Sequence, residues 1–207
     1  VLVISSTTAS YSLGKGWGCL HEVTDLESVT RPLTALSATA GSADELEGLI
    51  GQAFSIFAAE RPRPVHIAVP IDVLAENVPS SWQVRQPPAR PAPPAQAINQ
   101  AAALLRQAER PVIYAGGGAA GAAQTLTGIA ERLDAAVITS NAGKGVVPDS
   151  HPLCLGGGIV RSPVRDFLSQ ADVVLAIGTE ISETDSFVPK LSLTGKLIRI
   201  DIDPRKI

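Results

Sequence analysis

The sequence predicts a doubly wound α/β protein: a parallel sheet with helices on both faces, preceded by part of a second α/β domain. Three observations lead there. Short runs such as Val112 to Ala115, Ala136 to Thr139 and Val173 to Ile177 are apolar on both faces, as the strands of a fully covered parallel sheet are. Segments of helical periodicity separate these runs, and parallel strands joined through helices wind with right-handed crossovers. Between Pro79 and Pro94 the composition shifts, with Pro79, Pro87, Pro88, Pro91, Pro93 and Pro94 in one stretch, which reads as a semi-rigid linker between two domains.

Taken in order, Val1 to Ile4 is an apolar run that meets Ser5, Ser6, Thr7 and Thr8, a buried strand ending in a polar loop. Gly14, Gly16 and Gly18 follow, then a short apolar segment over Leu33 to Ala38. Ser42 and Glu45 form an S-x-x-E capping box, and Leu46, Leu49, Ile50, Ala53, Phe54 and Phe57 behind it make one apolar helical stripe. Val65 to Val69 reads as a strand that Pro70 stops, because proline cannot donate to a sheet ladder. Residues 75–94 are the expected linker. Beyond it, Ile98, Ala101, Ala102 and Leu105 mark a helix, Val112 to Ala115 a strand, Ala122, Leu126, Ile129, Ala130 and Leu133 a helix, and Ala136 to Thr139 a strand. Ser162 as N-cap with Pro163 at the first helical position starts a helix through Val164, Phe167 and Leu168. Val173 to Ile177 and Leu197 to Ile202 complete a Rossmann-like rhythm.

Composition narrows the function. Apolar residues make up 45% and charged residues 18%, at a mean hydropathy of +0.20, which excludes disorder for most of the chain. No run approaches the roughly 18 apolar residues of a membrane span, and no signal peptide is visible. A net charge of -3 without a basic stripe argues against nucleic acid as a partner. Cys19 and Cys154 lie far apart with no second ligand at metal spacing, so neither a zinc site nor a disulfide framework is indicated, and a reducing, cytoplasmic compartment is favoured. The chain opens at Val1 inside a strand and contains no methionine, so a fragment is expected.

Gly116, Gly118 and Gly121 spell G-x-G-x-x-G after the strand ending at Ala115 and before a helix, where backbone N–H groups can meet a pyrophosphate. A tight strand-to-helix turn explains the same glycines. The next strand ends in Thr139, Ser140 and Asn141 rather than in the acidic residue that a nicotinamide ribose needs. Other strand ends finish in Gly178 and Thr179, and in Asp201, Asp203 and Pro204. Ligands of open parallel sheets bind beyond such ends, so these positions are candidates for one nucleotide-shaped groove, with ordinary turns as the alternative. Lys144 between Gly143 and Gly145 lacks a P-loop pattern and reads as a surface loop. His66, inside a strand, reads as a hydrogen-bonded structural residue, and His151 has no partner at helical spacing. His21 and Glu22 carry the side chains that acid–base chemistry needs near neutral pH, though neighbours on an extended segment point to opposite sides.

The ordered set Pro64-Val65-His66-Ile67-Ala68-Val69-Pro70-Ile71-Asp72-Val73, the proline-rich linker, Arg110-Pro111-Val112-Ile113-Tyr114-Ala115-Gly116-Gly117-Gly118, Gly143-Lys144-Gly145 with Pro148 and His151-Pro152-Leu153, Ala171 to Thr179, and Ile200-Asp201-Ile202-Asp203-Pro204 resembles the thiamine-diphosphate-dependent enzymes. The similarity is to the branch of acetolactate synthase, benzoylformate decarboxylase and related 2-oxo acid decarboxylases, and it covers essentially the whole chain. It implies that residues 1–74 are the latter half of a pyrimidine-binding domain and residues 95–207 a central, nucleotide-binding-like domain. It also implies a 2-oxo acid substrate, thiamine diphosphate and Mg2+ held by motifs this sequence does not contain, and an active site between subunits of a homo-dimer or homo-tetramer. This stretch alone is therefore expected to be inactive. Leu20, His21 and Glu22 match a family segment that commonly reads Phe-Gln-Glu, and His21, in the Gln place, is expected to face substrate or cofactor. In the synthase branch the central domain carries FAD and in others ADP or nothing, in a groove that maps here onto Gly116, Gly117, Gly118, Ser140, Asn141, Gly178, Asp201 and Asp203. Gly156-Gly157-Gly158-Ile159-Val160-Arg161-Ser162 departs from the Gly-Met-His-Gly sort of pattern of flavin-binding members. The segment Gly14 to Asp25 resembles a decarboxylase of guanidino-substituted oxo acids, with acetolactate synthase comparably supported. A nicotinamide-dependent oxidoreductase using the glycine turn, and a non-catalytic nucleotide-binding or assembly module, are the alternatives.

Overall fold

The computed structural model describes residues 1–78, 82 and 85–206. Pro79, counted above in the proline-rich stretch, lies outside the described residues, as do residues 80, 81, 83 and 84 of the expected linker and Ile207 of the expected central domain. The chain forms two compact units, Val1–Pro91 and Ala92–Ile207.

In the first unit, β1 (Leu2–Thr7), β2 (Leu36–Thr39) and β3 (Val65–Pro70) form a parallel sheet in the order β1-β3-β2. Side chains alternate across a strand, so Val65, Ile67 and Val69 face one side and His66 and Ala68 the other. The first face packs against α2 (Ala43–Ala59) through Ala53, Ile56, Leu46, Leu49, Ile50 and Phe57. Ile56 takes a core place and Phe54 does not: Phe54 sits about 80° round the helix from Leu46, at the margin of the stripe, and stays 51% exposed. The capping box forms: Ser42 Oγ accepts the Glu45 N–H at 3.2 Å, and the Glu45 carboxylate accepts the Gly41 N–H at 2.8 Å. On the second face His66 is buried beneath α1 (Leu26–Thr30), sharing hydrogen bonds with Ser5 Oγ at 2.8 Å and Thr30 Oγ1 at 2.9 Å. Pro70 ends β3 within the sheet rather than before it. It pairs with Thr7 of β1, while β2 stops opposite Ala68, so no neighbour there needs the missing N–H. The short α3 (Ile71–Leu74) follows, and Asp72 in it accepts from Ser10 N–H at 2.8 Å.

In the second unit, α4 (Ala95–Gln107), β4 (Pro111–Ala115), α5 (Ala123–Leu133), β5 (Ala136–Thr139), β6 (Cys154–Gly156), α6 (Ser162–Ser169), β7 (Val173–Ile177), α7 (Glu183–Ser186) and β8 (Lys196–Ile200) build a parallel sheet in the order β6-β5-β4-β7-β8. Strand order reverses direction between β4 and β7, the switch point of a doubly wound fold. Both faces are covered. Ile113, Ala115, Val137 and Leu175 pack with Leu104, Leu105, Leu126 and Ala130 of α4 and α5, while Val112, Tyr114, Ile138 and Val174 pack with Ile159 and Leu168. Strands β4 and β8 each start one residue earlier than expected, and three further boundaries differ. Arg161, not Ser162, holds the N-cap position of α6, with Pro163 in the first turn, where its lack of an N–H is free. The last strand stops at Ile200 because Asp201 turns its carboxylate onto the Asp203 N–H at 2.9 Å. A 3-10 stretch, Gly117–Ala122, intervenes between the glycine turn and α5.

At the carboxyl ends of β4 and β7 the backbones touch. The Gly116 N–H donates to Ile177 O at 2.8 Å and the Gly118 N–H to Gly178 O at 3.1 Å. A Cβ on Gly178 would lie 2.5 Å from Gly118 Cα, and Gly178 has a left-handed φ of +55°. At the amino ends, the Asp172 carboxylate accepts the N–H of Glu109 at 2.6 Å and of Arg110 at 2.9 Å, and the Asp172 carbonyl accepts the Lys196 N–H at 2.8 Å, tying the starts of β4, β7 and β8.

Gly178→Ala is therefore expected to cost about 2–4 kcal/mol in denaturant unfolding, through overpacking and left-handed strain, whereas Gly121→Ala, with open space around it, changes stability by less than about 1 kcal/mol. Equal effects would mean that the strand ends separate easily. The Glu109 N–H above all holds the Asp172 carboxyl below its ordinary 3.8, with Arg110 helping and burial opposing. A carboxyl depressed in the folded state stabilises above its unfolded value and loses that contribution as pH falls through the folded one. Asp172→Asn is expected to flatten the loss of stability beneath pH 3.8. A parent-like slope in the variant would assign that acid limb to other carboxylates.

Candidate functional site

The switch-point crevice is where a doubly wound sheet binds its ligand, and four of the predicted residues, Gly116, Gly117, Gly118 and Gly178, meet there. Their small size is used by the protein's own backbone. Two of the three amides of Gly116–Gly118 already donate to the β7 end, and a Cβ on Gly116 would lie 2.1 Å from Gly178 O. Gly117 faces Ala142, whose carbonyl oxygen would be 3.1 Å from a Cβ there. Ser140 and Asn141 join the group from β5. Ser140 N–H donates to Ala115 O at 2.9 Å, and its hydroxyl caps the turn at Asn141–Gly143 by accepting the Gly143 N–H at 3.1 Å. The Asn141 N–H donates to Asp185 Oδ1 at 2.9 Å, and its Nδ2 to Thr184 O at 3.4 Å, so the loops after β5 and β7 are bridged.

Asp201 and Asp203 follow β8, whose last residue, Ile200, accepts the Gly178 N–H at 2.8 Å, and both are engaged with their own neighbours. Asp203 is buried and accepts from Arg205 Nε and Nη2, each at 3.0 Å. Asp201 accepts the Asp203 N–H and lies 4.0 Å from Arg199, whose Nη2 donates to Thr179 O at 2.7 Å. Asp203 thus holds Arg205 in the turn that ends β8, while Asp201 faces Arg199, which reaches the loop after β7.

Beside the crevice, at the carboxyl ends of β5 and β6, an open hollow is lined by Asn141, Lys144, Asp149, Gly157, Gly158 and Arg161 among others. Nothing lies within 4 Å of a Cβ built on Gly157. Two cations against the one carboxylate of Asp149, with an amide and a bare backbone beside them, leave the lining net positive and suit an anionic ligand. Lys144 sits in the expected surface loop, and Arg161 stands three residues past the glycine run Gly156–Gly158; a basic residue close behind glycines at a strand end is the usable signal. Asp185 was also missed. It is buried in the short α7, and its partner Asn141 is 44 residues away, a distance no local pattern spans. Burial and, secondarily, the Asp185 carboxylate push the Tyr114 phenol well above its ordinary value. The Tyr114 hydroxyl and Thr139 Oγ1 are buried without a hydrogen-bond partner, on opposite sides of the sheet as their alternation requires.

In the first unit the loop after β1 carries the remaining candidate. His21 is exposed and holds a left-handed φ of +63°. Glu22 turns back into the loop: its Oε1 accepts the Trp17 N–H at 3.2 Å and its Oε2 the Cys19 N–H at 2.9 Å. Desolvation pushes the Glu22 carboxyl up, but the N–H groups of Cys19, Gly18, Gly16 and Trp17 outweigh it and hold the carboxyl below its ordinary value. Lys15 Nζ lies 4.6 Å from the centre of the Trp17 ring, a cation–π contact. His21 and Glu22 thus point apart, one outward and one inward. His66, bound between two hydroxyls, has its ring nitrogens occupied. Among the described residues no three His, Cys, Asp or Glu side chains gather where they could hold a metal ion, and no helix is long and apolar enough to cross a membrane.

Comparison with known proteins agrees with this architecture. Residues 98–207 match the family model described as thiamine pyrophosphate enzyme, central domain. AruI of Pseudomonas aeruginosa, named a probable 2-ketoarginine decarboxylase, is 49% identical over 208 residues, covering 100% of this chain and 37% of that protein. The acetolactate synthase of Mycobacterium bovis is 32% identical over 88% of this chain and 31% of its own length, and the glyoxylate carboligase of Escherichia coli O157:H7 is 32% identical over 90% and 33%. The chain thus spans about a third of the length of these relatives. A solved structure from Mycobacterium smegmatis, described as a putative thiamin diphosphate-dependent enzyme, shares the fold at a TM-score of 0.81 and 24% identity, over 99% of this chain and 40% of that one. With its second unit matched from Ile98 to the end and its first aligned to the same relatives, the chain belongs to the thiamine pyrophosphate enzymes.

Proposed function

We propose that the protein this chain belongs to decarboxylates a 2-oxo acid whose side chain ends in a guanidino group. The observation that carries this reading is the 49% identity to AruI over the whole chain, well above the 32% to the acetolactate synthase. In this reading residues 1–74 supply the latter half of a pyrimidine-binding domain, residues 75–94 a linker and residues 95–207 the central domain. The active site forms between subunits of a homo-dimer or homo-tetramer in the cytoplasm. Thiamine diphosphate with Mg2+, when bound, supplies the nucleophilic carbon and electron sink for breaking the carboxyl bond. The reaction releases CO2 and leaves an aldehyde that takes its proton from solvent. None of this chain's residues is assigned to thiamine diphosphate or Mg2+.

His21 is assigned to the substrate side chain. It is exposed and it leaves a glycine-rich loop at a left-handed position, and Leu20-His21-Glu22 resembles a family segment in which Gln takes its place. In the complete enzyme, His21→Ala is expected to change kcat/KM for a guanidino 2-oxo acid relative to pyruvate by about tenfold. A ratio equal to that of the parent removes His21 from the substrate. Formation of acetolactate from pyruvate, with no aldehyde from the guanidino acid, would favour the synthase reading instead.

The second unit is assigned a nucleotide diphosphate, of ADP or FAD, in the hollow beside β5 and β6. Lys144, Arg161 and Asn141 would hold it, in place of the Gly116–Gly118 amides, two of which already bond to the β7 end. Asp201 and Asp203, paired within their own turn, would take no part. Such a nucleotide supplies no step of the reaction and acts on assembly and stability. Removing both cations, as Lys144→Ala with Arg161→Ala, is expected to weaken ADP binding in calorimetry by at least about 100-fold while Gly121→Ala leaves it unchanged. Undiminished binding in the double variant would move the ligand elsewhere.

A further inference from the structure

The loop that carries His21 has little apolar packing to hold it. Trp17 is 60% exposed and Leu20 82%. Gly14, Gly16 and Gly18 have left-handed φ values of +69°, +65° and +73°, and nothing lies within 4 Å of a Cβ built on any of them. Free glycines give the unfolded loop the most freedom of any residue and give the folded loop no side-chain contacts, so another interaction must select its conformation. His21 adds to the need, because a left-handed φ of +63° on a residue with a Cβ is strained and persists only where its surroundings impose it.

Glu22 supplies that constraint. Its two oxygens accept backbone N–H groups from Trp17 and Cys19, and its own N–H donates to Cys19 O at 3.0 Å. One side chain therefore closes the loop from Trp17 to Glu22 on itself, with His21 directly before the anchor. Charge-assisted bonds of this kind are roughly twice as strong as neutral ones, and the hollow around the carboxylate is lined by Gly14, Gly16, Gly18 and Thr24, which offer no competing cation except Lys15. Lys15 is itself drawn toward the Trp17 ring. We infer that Glu22 is a positioning residue for substrate choice: its carboxylate fixes the conformation in which His21 is presented, while touching no substrate itself.

The inference rests on the assignment of His21 to the substrate side chain, and the test separates the two. Three variants of the complete enzyme are compared: Glu22→Gln, which keeps the length but offers one acceptor oxygen and an NH2 group to two N–H donors, His21→Ala, and the double variant. The readouts are the ratio of kcat/KM for a guanidino 2-oxo acid to that for pyruvate, and the rate of trypsin cleavage after Lys15. Glu22→Gln is expected to shift the ratio about tenfold in the direction of His21→Ala, the double variant to shift it no further than the larger single change, and cleavage after Lys15 to accelerate about tenfold in Glu22→Gln but not in His21→Ala. A merely structural carboxylate would lower kcat/KM for both substrates equally, and that result, or a parent-like ratio in Glu22→Gln beside a shifted one in His21→Ala, overturns the inference. A parent-like ratio in His21→Ala overturns the assignment beneath it, and the inference falls with it.

Discussion

Where β4 and β7 end, two backbones approach until only hydrogen atoms fit between them, and the rest of the second unit is arranged around that contact. Gly116 and Gly118 donate to Ile177 O and Gly178 O, extending the strand pairing past the sheet's edge into the loops. The crevice of a doubly wound sheet opens where strand order reverses, and here that opening is stitched closed from within. Asn141 and Asp185 add a second stitch from the neighbouring loops. With the central crevice closed, the polar surface at the carboxyl ends lies to one side, at β5 and β6, where Lys144, Arg161 and Asp149 stand beside an uncrowded Gly157.

This arrangement explains why the same glycines support two readings in sequence. G-x-G-x-x-G records that a backbone comes close to something, and sequence does not say whether that is a phosphate or another strand. The structure supplies the partner, Gly178, 60 residues downstream of Gly118. Most longer elements were legible, but Val1 to Ile4, expected as a buried strand ending in a loop at Ser5, is the edge strand β1, which runs on to Thr7 and leaves Val3 and Ile4 exposed. Both-face apolar runs gave β4, β5 and β7 nearly to the residue, because burial on two faces leaves no room for polar exceptions. Less was legible where a boundary depends on one distant or polar contact. The end of β8 is set by Asp201 turning onto the Asp203 N–H, and the inclusion of Pro70 in β3 is set by where β2 happens to stop. The three-residue β6 and the four-residue α7 are too short to carry a period, so nothing marked Asp185 in advance.

The two units also differ in how they hold their loops. In the second, the glycine turn after β4 is fixed by backbone bonds to the end of β7, and the loops after β5 and β7 by several contacts that share the load. In the first, the loop from Gly14 to Glu22 hangs on a side chain. A Glu next to a His suggests paired acid–base groups, and in the sequence the two looked like alternatives for one pocket. The geometry divides their labour, with Glu22 inward on amides and His21 outward.

The polar layer under α1 has a consequence for how the first sheet assembles. Three parallel strands rich in small aliphatic residues have little to tell one register from the next, and a slip by one residue turns every side chain to the opposite face. His66 breaks that degeneracy. In the native register its two nitrogens meet Ser5 and Thr30; one residue out of step, the imidazole would lie against Leu49, Ile50 and Phe57 of α2 with no partner, at a cost of about 1–3 kcal/mol for the unpaired group. A single histidine thereby makes misaligned pairings unfavourable, and the sheet has one alignment in which every polar atom of that layer is satisfied.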